Sequence, residues 1–258
     1  VLEDLDAARV QALLTTRWCG RSLRIVEQTA STNDDARAAS LGDAPHGHVI
    51  VADHQTQGRG SRGRTWSSPA GTDLYLSVVL RADAALVSVA PLTLAVGVAV
   101  AEAIGARLPT AARVEVKWPN DVLVDGRKIA GILVECSSLG ERALPLVVGI
   151  GINVNRLAFP PDLDFPATSV ALAAGVPLER AVLLAELLGR IELWVERFAA
   201  QGVGPVVVAL NPRLAMRDSA ALCDGRLGIV RGISPRGGLL FETDGALAEL
   251  LAGTLRAP

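Results

Sequence analysis

The run Lys117-Trp118-Pro119-Asn120-Asp121, followed by a second lysine at Lys128, sets two ammonium groups, a carboxylate and an amide around a Trp-Pro turn. A lysine at the mouth of the apolar run Ile129–Val134 can neutralise an anion held at that edge. Upstream, Gly58-Arg59-Gly60-Ser61-Arg62-Gly63-Arg64 carries three arginines on a glycine-rich backbone, with no acid between Asp53 and Asp73. Guanidinium forks bind carboxylate and phosphate bidentately. Three like charges on one loop repel, so this loop is expected to be mobile when empty and ordered by an anion. Together the two stretches point to an enzyme that handles carboxylate and phosphate groups.

The arginine loop also fits Gly-x-Gly-x-x-Gly. A dinucleotide fingerprint needs a helix directly after it, and Arg64-Thr65-Trp66-Ser67-Ser68-Pro69-Ala70-Gly71 cannot supply one. A Rossmann site is therefore excluded. In Gly149-Ile150-Gly151-Ile152-Asn153, two glycines inside an apolar strand imply close approach by a ligand or another backbone. Asn153 ends that run and can read an amide or a base edge. Ser31-Thr32-Asn33 reads either as a helix cap or as hydroxyls aimed at a polar ring. His46, His48 and His54 match no zinc spacing, so a metal site there is not expected.

The elements that must position these residues follow from periodicity. Helices are predicted over residues 2–14, from Ser31 onward, over Pro91–Ile104 and over Leu178–Ala200. Strands are predicted at Leu23–Val26, Val49–Ala52, Leu74–Leu80, Val114–Lys117, Asp121–Val124, Lys128–Ser137 and Leu144–Asn155. Asp125-Gly126 is a hairpin signal. Beyond Asn211-Pro212, short runs at 220–223, 227–233, 239–243 and 246–250 alternate with turns, as in a small β-barrel. The fold class is α+β, with domains over 1–212 and 213–258.

Half of the 258 residues are hydrophobic, enough for a large core. The net charge of −2 gives no global field to attract nucleic acid or a membrane. Three cysteines without a CxxC pair suggest reduced thiols and a cytoplasmic protein. The acidic opening Val-Leu-Glu-Asp-Leu-Asp is not a signal peptide. The uncharged run between Asp83 and Glu102 contains Ser88, Pro91 and Thr93, and reads as a buried helix rather than a membrane span.

In this order, Ser31-Thr32-Asn33, Gln55, Gly58–Trp66, Lys117–Asp121, Arg127–Glu135 and Gly149–Asn153 resemble the biotin protein ligases. The likeness spans residues 31–155, and the C-terminal barrel extends it over nearly the whole chain. It implies a class II synthetase-like mixed β-sheet flanked by helices, followed by an SH3-like barrel. It also implies ATP and Mg²⁺ as cofactors, with a biotin carboxyl-carrier protein or domain as partner. Biotin would be activated to biotinyl-5′-AMP and passed to one carrier lysine. Homodimer formation is possible for such a protein. The Mg²⁺ ligands are not identified.

By the same resemblance, Ser31, Thr32, Asn33, Gln55, Gly60 and Ser61 would bind biotin, with Gly131 and Gly151 letting it lie close to the backbone. Arg59 and Lys128 would hold the carboxylate and α-phosphate. Arg62 and Arg64 would assist with phosphate, Trp66 would pack on adenine, and Asn120 and Asn153 would face the nucleotide. Asp121 would position or deprotonate the acceptor lysine. Arg256, near the closing segment Gly253-Thr254-Leu255-Arg256, would reach ATP. Some relatives carry arginine where this chain has Ser61. About thirty residues precede Ser31, too few for the winged helix-turn-helix of the repressor members, so a single-function ligase without nucleic-acid binding is expected. Two rivals remain: a lipoate ligase or octanoyltransferase, and a catalytically silent binder.

Overall fold

Period-two alternation along one central strand dictates how the sheet divides its labour. In Leu146–Ile152, the even positions Leu146, Val148, Ile150 and Ile152 enter the main hydrophobic core, while Val147 packs into a second, smaller cluster on the opposite face. Gly149 and Gly151 lie on that second face, so there the strand contributes a floor rather than a packing surface. The coordinates, a computed structural model, describe residues 4–81, 90–136, 145–161, 163 and 165–258, and the backbone alone of 89, 138–139 and 142–143.

The strands are β1 (Leu23–Thr29), β2 (Val49–Gln55), β3 (Leu74–Leu80), β4 (Val114–Lys117), β5 (Asp121–Val124), β6 (Arg127–Glu135), β7 (Ser138–Leu139), β8 (Arg142–Ala143) and β9 (Leu146–Ile152). Seven form one sheet in the order β1-β2-β3-β9-β6-β5-β4. The β1–β2 pair is parallel and every other neighbour antiparallel, which makes the sheet mixed. β7 and β8 pair with each other. A parallel pair needs a crossover, and helix α2 (Thr32–Leu41) supplies it.

The thick core lies between the sheet and α1 (Ala7–Leu13), α3 (Val89–Gly105) and α5 (Arg180–Gln201). α3 begins before Pro91, which falls in its first turn; residues 84–88 of the uncharged run lie outside the described residues. Among the described residues no helix is long and apolar enough to cross a membrane. The first helix is shorter than expected, opening after Asp6, whose carboxylate accepts the Arg9 amide. Ser137 and Leu144, placed in strands by periodicity, also lie outside the described residues. Two short helices escaped the sequence reading: α4 (Val170–Ala174) and α6 (Gly204–Leu210).

The C-terminal part forms a second, antiparallel sheet from β10 (Ala220–Cys223), β11 (Arg226–Ile233), β12 (Leu239–Thr243), β13 (Ala246–Leu250) and β14 (Leu255–Arg256), in the order β13-β12-β11-β10-β14. β14 was not foreseen. Leu214 and Ala215 run along the outer edge of β4, where the Ala215 amide donates to the Val116 carbonyl.

Candidate active site

One row of cross-strand partners runs across the sheet: Tyr75–Gly151–Gly131–Asp121–Lys117. Directly opposed residues in a sheet point to the same face. The two glycines therefore open a trough, with Tyr75 on one flank and the Asp121–Lys117 pair on the other. Above this floor lies a cavity of about 410 Å³, within the usual range for small-molecule sites. It is lined by Ser31, Thr32, Asn33, Gln55, Arg59, Gly60, Ser61, Arg64, Trp66, Asn120, Lys128, Gly131, Gly151 and Asn153. Of the residues expected to bind substrate or carry chemistry, only Arg62, Asp121 and Arg256 are not in this wall. Arg62 and Asp121 line a neighbouring cavity of about 170 Å³, which shares Ser61, Arg64 and Asn120 with the first and also meets Lys117, Gly253 and Thr254. Arg256 lies exposed on β14 and lines neither.

The charged part of the site is built by the β4–β5 hairpin, whose Trp118–Pro119 peptide is cis. Asp121 is buried, with Lys117 Nζ 2.9 Å from Oδ2 and Lys128 Nζ 2.6 Å from Oδ1. Burial alone would raise the Asp121 pKa, but the two ammonium groups outweigh it and hold the carboxyl below its ordinary range. Burial pushes the Lys117 pKa down, against the pull of Asp121. Lys128 also stands 5.2 Å from the centre of the Trp66 ring.

Neutral polar groups cluster where α2 meets β2 and β3. Gln55 Oε1 accepts the Thr32 amide at 2.9 Å and its hydroxyl at 3.1 Å, and Gln55 Nε2 donates to Ser68 Oγ. The Ser77 hydroxyl donates to Asn33 Oδ1 at 2.6 Å and lies 2.8 Å from Thr32 Oγ1. Asn33 Nδ2 donates to Glu135 Oε2 at 2.7 Å. Asn33 is thus spent on internal partners. Ser31 begins α2 without a side-chain capping bond, contrary to the cap reading, and it lines the cavity.

The arginine loop is a tight hairpin, with Arg59 bridged to Thr65 and Gly60 donating to the Arg64 carbonyl. Acids distant in sequence meet its charges. The Arg59 fork takes Asp34 at 2.5 and 3.0 Å and Glu135 at 3.3 Å, and the contact with Arg59 depresses the Asp34 pKa. Arg62 bridges to Asp224 at 3.2 Å and to the Thr254 hydroxyl in the C-terminal sheet. Arg64 donates to Ser61 Oγ at 3.0 Å.

Trp66 lies on the trough itself. A Cβ at Gly151 would stand 2.5 Å from its Cε2, and one at Gly131 2.9 Å from its Cζ3. The close approach expected at these glycines is made here by the indole. Asn120 Nδ2 donates to the Ile132 carbonyl and Asn153 Nδ2 to that of Thr168, both at 2.9 Å. His46, His48 and His54 take separate partners: the Trp18 ring, Ser22 and the Ser68 carbonyl.

Several residues in the wall and behind it carry no signal that the sequence reading used. Ser77 braces the polar cluster from a buried strand position. Arg156 donates from Nε to Asp73 at 2.8 Å and from NH2 to the Ser67 carbonyl at 2.9 Å, with the Phe159 ring 5.2 Å from its Cζ. Phe159 and Phe165 line the cavity. A cation and two aromatics soon after Asn153, in a segment otherwise marked only by prolines, were the available signal. Arg180, fully buried, ties Asp4 and Asp53 together, and Asp53 accepts the Gly71 amide at the base of the loop.

A mixed sheet with a trough, an arginine hairpin over it and a Lys–Asp–Lys cluster beside it defines an acyl-activating ligase architecture. The chain belongs to the biotin/lipoate A/B protein ligase family, whose model matches residues 25–153. It is 37% identical over 244 residues to the biotin--[acetyl-CoA-carboxylase] ligase of Mycobacterium tuberculosis, covering 90% of this chain and 88% of that one. It is 32% identical to the bifunctional ligase/repressor BirA of Bacillus spizizenii, over 97% of this chain and 78% of that one. The biotin protein ligase of Aquifex aeolicus, solved with biotin and ATP, superposes with a TM-score of 0.81 at 28% identity, over 92% of this chain and 100% of that one.

Proposed function

We propose that this protein is a biotin protein ligase, which activates biotin with ATP and transfers it to a lysine of a biotin carboxyl-carrier protein or domain. The observation that carries the reading is a single cavity joining neutral ring-binding groups (Ser31, Thr32, Gln55) to cations (Arg59, Arg64, Lys128) across a glycine floor. A bicyclic urea with an acid tail needs such a division. In the first step a biotin carboxylate oxygen attacks the α-phosphorus, the bond to the β-phosphate bridging oxygen breaks, and pyrophosphate leaves. Two anions must approach, so cations at the junction lower the barrier by charge stabilisation and positioning. Lys128 and Arg59 serve there, with Arg64 and Arg62 on the phosphate side.

In the second step the neutral amine of the carrier lysine attacks the acyl carbon, the bond to phosphate oxygen breaks and AMP leaves. A carboxylate held anionic between two lysines is a weak base, so of the two roles expected for Asp121, orienting the incoming amine fits better than deprotonating it. Mg²⁺ would enter with the nucleotide. Among the described residues no three acidic, histidine or cysteine side chains converge as a cage, and Mg²⁺ commonly binds through substrate phosphates with one or two carboxylates. Carrier docking or homodimer formation by strand addition would use the β1 edge of the large sheet, since Leu214 and Ala215 cover the edge at β4.

The test is pyrophosphate release from ATP on adding biotin, with and without a carrier domain. Biotin-dependent release that becomes multiple-turnover with the carrier is expected. Release with lipoate or octanoate but not with biotin would move the protein to the lipoyl branch. No release with any of these acids would end the ligase reading.

A further inference from the structure

We propose, resting on the ligase reading above, that Lys117 is a positioning residue: by holding Asp121 it leaves Lys128 free to take the substrate anion. The two lysines share one carboxylate, but their surroundings differ. Lys117 pairs with Asp121 across the β4–β5 ladder, its side chain is only 8% exposed, and the Phe165 ring covers it with Nζ 4.5 Å from the centroid. It borders the smaller neighbouring cavity but not the main one. Lys128 comes from β6, its side chain is 21% exposed, and it faces the main cavity beside Trp66.

The charge count gives Lys117 its purpose. Lys117, Asp121 and Lys128 together carry one net positive charge, available to an incoming carboxylate or phosphate. Without Lys117, Asp121 would be compensated by Lys128 alone. That pair would be neutral, and the buried carboxylate would compete with substrate for the same ammonium. Lys117 acts on the reacting atoms through Asp121, whereas Lys128 lines the main cavity itself.

The experiment is a double-mutant cycle with Lys117→Met and Asp121→Asn, read by biotin-dependent ATP–pyrophosphate exchange, which reports the first step without carrier. Lys117→Met is expected to raise KM for biotin and ATP by about tenfold, the scale of a close charge coupling. In the Asp121→Asn background the same change should leave KM unaltered, because no carboxylate remains to recapture Lys128. An unchanged KM in the single variant, or an equal loss in both backgrounds, overturns the proposal in favour of a packing role. If Lys117→Met alone does not fold, comparing Asp121→Asn with the double variant still decides: equal KM supports the inference, and a further rise overturns it. Absence of biotin-dependent exchange in the unaltered protein would instead bring down the ligase reading itself.

Discussion

The indole of Trp66 rests on Gly151 so closely that a Cβ there would lie 2.5 Å from its Cε2. Gly151 has an ordinary strand conformation, so the requirement is one of space, not of backbone freedom. The glycine trough and the arginine hairpin are therefore one fitted unit, in which the floor sets where the loop comes to rest.

Gly151→Ala should consequently displace Trp66 and, with it, Arg59 and Arg64. The expected result is a loss of about 1–3 kcal/mol in stability from overpacking, together with a fall in biotin-dependent pyrophosphate exchange. Adding Trp66→Ala should restore the melting temperature without restoring activity. Full activity in Gly151→Ala would show that the loop position is not set by this contact.

Lys128→Ala removes the exchangeable ammonium at the cavity. The first step should slow by about 10²–10³-fold, the usual cost of one preorganised charge-stabilising donor. Single-turnover formation of the acyl-adenylate is the direct readout, and a rate equal to that of the unaltered protein would remove Lys128 from the chemistry.

Ser77→Ala deletes the hydroxyl that braces both Thr32 and Asn33. Leaving buried polar partners unmet should cost about 1–3 kcal/mol by denaturant titration. Because Thr32 also binds Gln55, KM for biotin should rise more than kcat falls. A loss confined to kcat would place the defect elsewhere.

Glu192, buried on α5, accepts the backbone amides of Arg17, Trp18 and Cys19 at 2.8–3.0 Å and thereby fastens the chain before β1. Burial raises its pKa, but these donors and Arg17 outweigh that and leave it below its ordinary value. A depressed folded-state pKa stabilises above the unfolded pKa and is lost as pH falls through the folded one. Glu192→Gln should therefore lower Tm at neutral pH, with the gap closing progressively below about pH 4. A gap independent of pH would mean that the carboxylate charge contributes nothing.

Much of the site could be read from the chain because its parts are local. Lys117, Asp121 and Lys128 sit on two adjoining hairpins, and the arginine loop is a single hairpin, so short-range spacing carried them. Gly149 and Gly151 announce a close approach, although not that the Asn33 side chain makes it at Gly149 and the Trp66 indole at Gly151. The sequence places Asn33 among the biotin-binding residues, and it does line the cavity; what the sequence could not show is that its side chain also meets Ser77 and Glu135, each far away in sequence. Arg256 was assigned to the nucleotide from its motif alone, and the turn of β14 leaves it outside both cavities.

The sequence by itself determined which residue types are present and which strand face each occupies, because side-chain alternation is fixed by the backbone. That is why the even positions of β9 fill the core while its glycines floor the site. Only the tertiary structure decided which partners neutralise the charges. The loop arginines have no acid nearby in sequence, yet Asp34, Glu135 and Asp224 reach Arg59 and Arg62 once α2, β6 and the C-terminal sheet are packed. Coulomb interaction depends on distance in space, and it is the sheet register, not chain spacing, that sets those distances.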